Sequence, residues 1–204
     1  MPKPHFKTEK LAFTEGHMIV CGIDEAGCGP WAGPVSAAAV ILNQKKIPKG
    51  LNDSKQLTHE RREELYAVIM QTAEVGIGHA SAAEIDEMNI LQARLLAMSR
   101  AVACLVSVPT LALVDGNRAP KLACTVKTII DGDAISQSIA AASIIAKVTR
   151  DRLMHDLDGL FPHYGFAQHK GYGTGQHQEA LAKHGPCTEH RKSFAPIRAL
   201  LQIA

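Results

Sequence analysis

Two adjacent carboxylates, Asp24 and Glu25, end an apolar run, and a glycine-flanked turn follows at once in IDEAGCGPW. Asp115 closes a second apolar run within VDGN, and Asp133 follows a third within DGD. Consecutive strand side chains point to opposite faces, so Asp24 and Glu25 act together only where the strand finishes and releases one of them. Gly27, Gly29 and Pro30 supply that ending. Sheets that alternate with helices deliver functional residues at the carboxyl ends of their strands. Four carboxylates from three strand ends could bind two divalent cations of the hard, oxygen-seeking kind, such as magnesium. In two-metal phosphodiester chemistry one ion activates the attacking water and the other stabilises the leaving oxygen, with the ions ~4 Å apart. Asp before Gly is also a common turn pair, which accounts for each DG alone. It does not account for the set, because DE directly after an apolar strand is poor turn chemistry.

The elements that would hold these acids are legible from periodicity. Residues 17–24 and 33–42 read as two strands of an antiparallel hairpin joined through the glycine turn. Residues 45–52 form a loop broken by Pro48 and Gly50. Thr58 caps a helix to about Met70, with Glu60, Glu63 and Glu64 in its early turns, where the macrodipole favours acids. Residues 73–80 make a short strand, and Ser81 with Glu84 forms a capping box that opens a helical region to about Val106. Leu91, Leu95, Met98, Val102 and Leu105 recur there at helical spacing and form the expected core-facing stripe. Residues 110–115 and 125–131 are β-rich, 138–157 a long helix and 159–175 an irregular loop, with short helices from about Gln176 and Ala195. Two hairpin strands followed by strands alternating with helices predict an α/β fold: one mixed five-stranded sheet flanked by helices, with a C-terminal helical segment. The length of 204 residues favours a single domain over residues 1–204.

Composition is that of a globular chain able to bury a full core, at 46% hydrophobic and 21% charged. The net charge of +2 announces no nucleic-acid binder. Its distribution says more, because from His163 onward basic residues and histidines heavily outnumber Glu179 and Glu189. Residues 159–204 therefore read as a basic substrate-binding loop and helical extension, suited to a polyanion held over a carboxylate site. Cys21, Cys28, Cys104, Cys124 and Cys187 are odd in number and lack CxxC spacing, which points to a reducing compartment without a disulfide scaffold. Cys187 and His190 have C-x-x-H spacing but no second ligand pair for zinc. No signal-peptide run opens the sequence and no segment is long enough to cross a membrane, so a cytoplasmic protein is expected.

GIDEAGCGPWAGPV, the DSK at 53–55, VDGNRAPKL, DGD followed by AAASIIAKVTRDR, and YGFAQHKGYGT with a downstream EHRKSF occur in order over nearly the whole chain. Together they resemble bacterial ribonuclease HII, of the type 2 RNase H family. The resemblance implies an RNase H-like fold and metal-binding catalytic acids at Asp24, Glu25, Asp115 and Asp133. It implies an endoribonuclease that cuts the phosphodiester 5′ to a ribonucleotide, in RNA/DNA hybrids or embedded in duplex DNA. Cleavage would need Mg2+ or Mn2+, two ions with substrate bound, and leave 3′-hydroxyl and 5′-phosphate ends, in ribonucleotide excision repair and RNA primer removal. A monomer needing no protein partner is expected.

The same resemblance places the family's Gly-Arg-Gly reader of the ribose 2′-hydroxyl on Gly27, Cys28 and Gly29, and its junction-sensing tyrosine on Tyr172. The physics agrees, since the 2′-hydroxyl alone separates RNA from DNA and backbone N–H groups freed by glycines approach a sugar closely. Tyr172 is preferred over Tyr164 as the ring that stacks on the adjoining sugar. Lys55, Ser143, Lys147 and Lys170 are candidate phosphate contacts, with Ser143 and Lys147 on one helix face. Asn52, Asn89 and Asn117 could also donate to the nucleic-acid backbone. Two departures stand out. Cys28 replaces the family's arginine or lysine, exchanging a permanent multi-donor charge for a weak S–H. Asp131 stands where the family often has lysine. The expectation is that the metal chemistry survives while substrate grip or single-ribonucleotide discrimination weakens. Two other readings fit the acids less fully: a different metal-dependent phosphodiesterase, and a non-catalytic nucleic-acid-binding module. Unneutralised carboxylates would repel phosphates in the second.

Overall fold

The computed structural model describes residues 3–202, so residues 1, 2, 203 and 204 of the expected span lie outside it. In chain order the elements are α1 (Lys7–Thr14), β1 (Val20–Ala26), β2 (Val35–Ile41), α2 (His59–Thr72), β3 (Glu74–Ala80), α3 (Ala82–Met88) and α4 (Ile90–Ala103). They continue with β4 (Leu111–Asp115), β5 (Thr125–Ile129), α5 (Gln137–Leu160), α6 (Phe166–His169), α7 (Gly175–His184) and α8 (Ala195–Gln202). One five-stranded sheet runs in the order β3-β2-β1-β4-β5. β1 pairs antiparallel with β2, and β2 with β3, whereas β1–β4 and β4–β5 are parallel. This is the mixed sheet flanked by helices that the strand spacing implied.

Alternation along β2 explains how helices cover both faces. Ala37 and Ala39 join one core with Ala93, Ala97, Met98 and Ala101 of α4. Ala38 and Val40 join another with Leu65 and Ile69 of α2 and the apolar face of α5, including Ile144 and Ile145. Each large aliphatic side chain so buried contributes roughly 1.5–3 kcal/mol against exposure.

The buried face of α4 differs from the expected leucine stripe. Met98 is fully buried, but Leu91 is 37% exposed, and the face against the sheet is the i, i+4 series Ala93, Ala97 and Ala101. Leu95, Val102 and Leu105 pack around its margin. Glycines on β3 are the reason. A Cβ at Gly76 would lie 2.1 Å from the Ala101 carbonyl oxygen, and one at Gly78 would lie 2.3 Å from that of Ala97. The helix backbone rests on the strand backbone, and only alanine fits between.

Thr58 and the Ser81/Glu84 capping box hold their helix starts as read. The helical region after Ser81, however, breaks at Asn89, whose φ of 70° ends α3 while its side chain accepts from Leu91 N and Gln92 N to cap α4. Two further elements escaped the periodicity. The expected irregular loop at 159–175 contains the single turn α6. The helix α1 has charges on most sides, and its role is tertiary: buried Glu9 accepts from Ser136 Oγ at 2.6 Å and Ser138 N at 2.8 Å. That carboxylate satisfies free donors at the N-terminus of α5, where negative charge is favoured. Among the described residues no helix is long and apolar enough to cross a membrane.

Candidate active site

Parallel register brings the acids of two strands together. The β1–β4 ladder ends at Ile23↔Val114, so Asp24 and Asp115 are the next residues beyond the last pair. β1 itself does not stop at Asp24: it stays paired with β2 through Glu25↔Ala37 and Ala26↔Ser36. The release that the acids need comes from the missing β4 partner on the other side. Asp115 is fixed by Gly132 N, which donates to its Oδ1 at 2.7 Å. Asp133 follows in the single 3-10 turn Gly132–Ala134 that Asp131 opens in the left-handed region at φ 53°. Asp131 thus lies just past β5 and serves the turn's backbone.

Strand alternation gives the two adjacent acids different neighbours. Gly22 abuts the start of α5, so Asp24, two residues on, shares that face. Glu25 turns toward α4, where Arg94 Nη1 donates to its Oε1 at 3.0 Å. The same oxygen accepts the Cys28 thiol at 3.5 Å. Glu25 Oε2 is buried without a partner. Arg94 was missed by sequence reading, since it sits in an ordinary helical stretch and belongs to no motif.

Electrostatics mark the cluster as one site. Burial, then Glu25 and Asp115, hold the Asp24 carboxyl well above the usual carboxylate range. Burial, then Asp53 and Asp115, push Asp133 up to about 6. Glu25 is raised by burial and restrained by Arg94 and Cys28. Burial opposes the charge on Lys55, yet Asp53, Asp24, Asp133 and Asp115 together outweigh it and raise its pKa. Asp53, absent from the expected acid set though present in the DSK motif, therefore borders the cluster; its side chain also caps the 3-10 turn at Ser54–Gln56. Carboxylates pushed together in this way favour either protons or a bound cation. Among the described residues no three His, Cys, Asp or Glu side chains are grouped closely enough to hold a metal ion as they stand. The donor set nevertheless suits a hard divalent ion, being all carboxylate oxygen with one buried oxygen of Glu25 left over.

A cavity of about 380 Å³ opens beside these acids. Asp24, Glu25, the Gly27–Gly29 turn and Tyr172 form part of its wall, and Lys55, Ser143 and Lys147 another part. Asp115 and Asp133 stand next to this wall and outside it. Ser143 Oγ donates to Ser54 Oγ at 2.8 Å, and Lys147 pairs with Asp151 at 2.7 Å. Lys170 is placed elsewhere: its Nζ turns back to the Ala167 carbonyl, and its own carbonyl accepts from Arg150. Of the asparagines, Asn89 is a helix cap and Asn52 bonds Gln56, while Asn117 is exposed near the end of β4.

Two buried arginines hold the glycine turn in shape. Arg191 donates to the carbonyls of Gly27 at 2.7 Å, Cys28 at 3.1 Å and Gly33 at 3.0 Å. Arg150 donates to those of Pro34, Lys170 and Ala32 at 3.0, 3.0 and 3.2 Å. Gly27 has φ 98°, and a Cβ there would fall 1.9 Å from Arg150 Nε. Carbonyls bound behind the turn leave its N–H groups to face outward. Both arginines lie in recognisable motifs, VTRDR and EHRKSF, whose buried roles the sequence did not disclose. Burial, then Glu25, push the Cys28 thiol up to about 12, so it serves as a neutral donor and no nucleophile.

Tyr172 is positioned by the C-terminal segment. It is 49% exposed, and its ring lies 3.4 Å from where a Cβ on Gly29 would be. Behind it three buried histidines gather, and two of them form a directional chain. The Cys187 N–H donates to His190 Nδ1 at 2.9 Å, which leaves the proton of His190 on Nε2. That proton meets His177 Nε2 at 2.9 Å, and His177 Nδ1–H then donates to the Tyr172 carbonyl at 3.0 Å. His169 stacks on His177 with ring centroids 4.4 Å apart. Burial pushes His177 and His190 each down to about 4, as neutral rings require. Cys187 and His190 thus belong to this chain of hydrogen bonds, with Sγ 3.2 Å from Nδ1. Tyr164 packs inside with Phe166 and hydrogen-bonds Gly185 O.

Comparison with known proteins gives this site a family. The profile described as Ribonuclease HII matches residues 21–197. A Ribonuclease HII from Parvibaculum lavamentivorans is 57% identical over 184 residues, covering 90% of this chain and 68% of that protein. One from Rhizobium etli is 54% identical over 196 residues, covering 96% and 86%. The crystal structure of ribonuclease H2 from Pyrococcus horikoshii OT3 aligns with a TM-score of 0.76 at 29% identity, over 91% of this chain and 98% of that one. With its mixed sheet, its strand-end acids and these matches, the chain belongs to the ribonuclease HII family of metal-dependent RNase H nucleases.

Proposed function

We propose that this chain hydrolyses the phosphodiester on the 5′ side of a ribonucleotide, in RNA/DNA hybrids or in duplex DNA with embedded ribonucleotides. The observation that carries the reading is the meeting of Asp24 and Asp115 at one parallel register end, with Asp133 and Glu25 beside them and the Gly27–Gly29 turn adjoining. Asp24, Glu25, Asp115 and Asp133 would hold two divalent ions, Mg2+ or Mn2+. Such ions supply an activated water and charge neutralisation at the scissile phosphate, leaving 3′-hydroxyl and 5′-phosphate ends. The chain's own part is to bring substrate to them. The N–H groups of the Gly27–Gly29 turn, with the Gly27 and Cys28 carbonyls held by Arg191, approach the sugar and donate to its 2′-hydroxyl oxygen. The Tyr172 ring stacks on the adjoining sugar and selects by shape. Lys55 and Lys147 neutralise phosphates along the cavity that Ser143 also lines.

In this reading residues 1–204 act as one catalytic domain, with 159–204 forming the basic substrate-binding part. The protein works as a cytoplasmic monomer in ribonucleotide excision repair and RNA primer removal. The test is strand cleavage mapped to the nucleotide, on one duplex with a single ribonucleotide, one with a ribonucleotide run and one of DNA alone. Cuts 5′ to the ribonucleotides, abolished by EDTA and by Asp115→Asn with the fold retained, are expected. Equal cutting of the all-DNA duplex would refute the reading in favour of a general phosphodiesterase.

A further inference from the structure

The pairing of Arg94 with Glu25 is the strongest feature outside the expected site. Both side chains are largely buried, at 21% and 12% exposed, and they join α4 to β1 across the edge of the acid cluster. Glu25 Oε1 receives two donors, Arg94 Nη1 and the Cys28 thiol. Glu25 Oε2 receives none although it is buried, and Arg94 Nε is likewise buried without a partner. An isolated structural ion pair gains by satisfying every lone pair and proton it buries. This one leaves an oxygen open on a residue that lines the cavity beside Asp24.

We propose that Arg94 is a positioning residue for the acid site: by tying Oε1 it presents Oε2 as the oxygen that Glu25 offers to a divalent cation. It also supplies from α4 a guanidinium that a thiol at position 28 cannot. The inference rests on the metal-dependent reading given above. The small Cys28 side chain lets Arg94 and the thiol share one carboxylate oxygen. A guanidinium introduced at position 28 would compete for that oxygen and lie against the charge of Arg94. Positions 28 and 94 are therefore alternatives for the same task, and substitutions at them must be non-additive.

The experiment compares the wild type with Arg94→Ala, Arg94→Met, Cys28→Arg and the Cys28→Arg/Arg94→Ala double variant. Each is titrated with Mn2+ by calorimetry without substrate, melted, and assayed for kcat/KM on a ribonucleotide-containing duplex. Loss of the guanidinium is expected to weaken Mn2+ binding and kcat/KM by about 10–100-fold, the usual effect of removing a group that orients a metal ligand. Arg94→Met keeps the apolar stem and carries the same expectation if the alanine variant is too unstable to titrate. In the double variant Cys28→Arg is expected to recover most of both losses, whereas alone it lowers both. Unchanged or tighter Mn2+ binding by the Arg94 variants, whatever their melting temperature, would overturn the proposal, as would additive effects at the two positions. A wild type that binds Mn2+ but cuts no ribonucleotide-containing strand would refute the functional reading instead, leaving the Mn2+ titrations to judge Arg94.

Discussion

Gly27→Ala tests whether the glycine turn is built around the buried Arg150. Two costs are expected at once. The backbone sits at φ 98°, where a side-chain-bearing residue is strained by about 1–3 kcal/mol. The new methyl would also lie 1.9 Å from Arg150 Nε and 2.3 Å from its Cδ. Arg150 is 1% exposed and bound to three carbonyls, so it has little room to withdraw. Losing one of those charged hydrogen bonds costs about 1.5–3 kcal/mol. Together the loss is about 2.5–6 kcal/mol, a large share of the 5–15 kcal/mol typical of a domain. Urea unfolding followed by circular dichroism measures it. Gly159→Ala is the control, because a Cβ there meets nothing within 4 Å and its helical backbone favours alanine. A Gly27→Ala loss below about 1 kcal/mol, smaller than strain alone allows, would refute this account of the turn. So would an equal loss in the control.

Two further outcomes follow from buried groups far from the acids. Glu9→Ala removes the acceptor of Ser136 Oγ and Ser138 N at the start of α5, and about 2–4 kcal/mol should be lost in the same urea assay; a change within 0.5 kcal/mol, typical of a surface site, would deny α1 its capping role. For His177 and His190 the folded pKa of about 4 lies below the ordinary 6.5, so the unfolded chain takes up protons that the folded chain refuses. Stability should therefore be constant with respect to these rings above pH 6.5, fall as pH drops below it, and level off below about 4, by at most about 3 kcal/mol for each ring, less what solvent screening removes. His177→Phe should flatten that slope, and a wild-type profile flat from pH 7 to 4.5 would contradict the neutral hydrogen-bonded chain.

Much of this protein was legible without coordinates. Apolar and β-rich runs marked all five strands, and period-3.6 patterns with capping residues marked the main helices, because burial writes itself into local composition and spacing. The ordered motifs named the family, and strand-end acids pointed to Asp24, Glu25, Asp115 and Asp133 before any register was known. What sequence alone misplaced depended on neighbours distant along the chain. The leucine stripe of α4 yielded to alanines because Gly76 and Gly78, on another strand, bring two backbones together. The helix α1 is short, and the purpose of its buried acid appears only where Glu9 meets a helix start more than a hundred residues away. Local pattern could nominate Asp24 and Asp115 separately; only the parallel register of β1 and β4 sets them side by side. The same holds for Arg94, an unremarkable helical arginine until α4 packs on the sheet and carries its guanidinium to Glu25. Residue types and spacing determined which chemistry this chain can attempt, since they fix charge and local conformation. Tertiary packing decided which groups share a low-dielectric site, because that proximity is paid for by contacts no local segment contains.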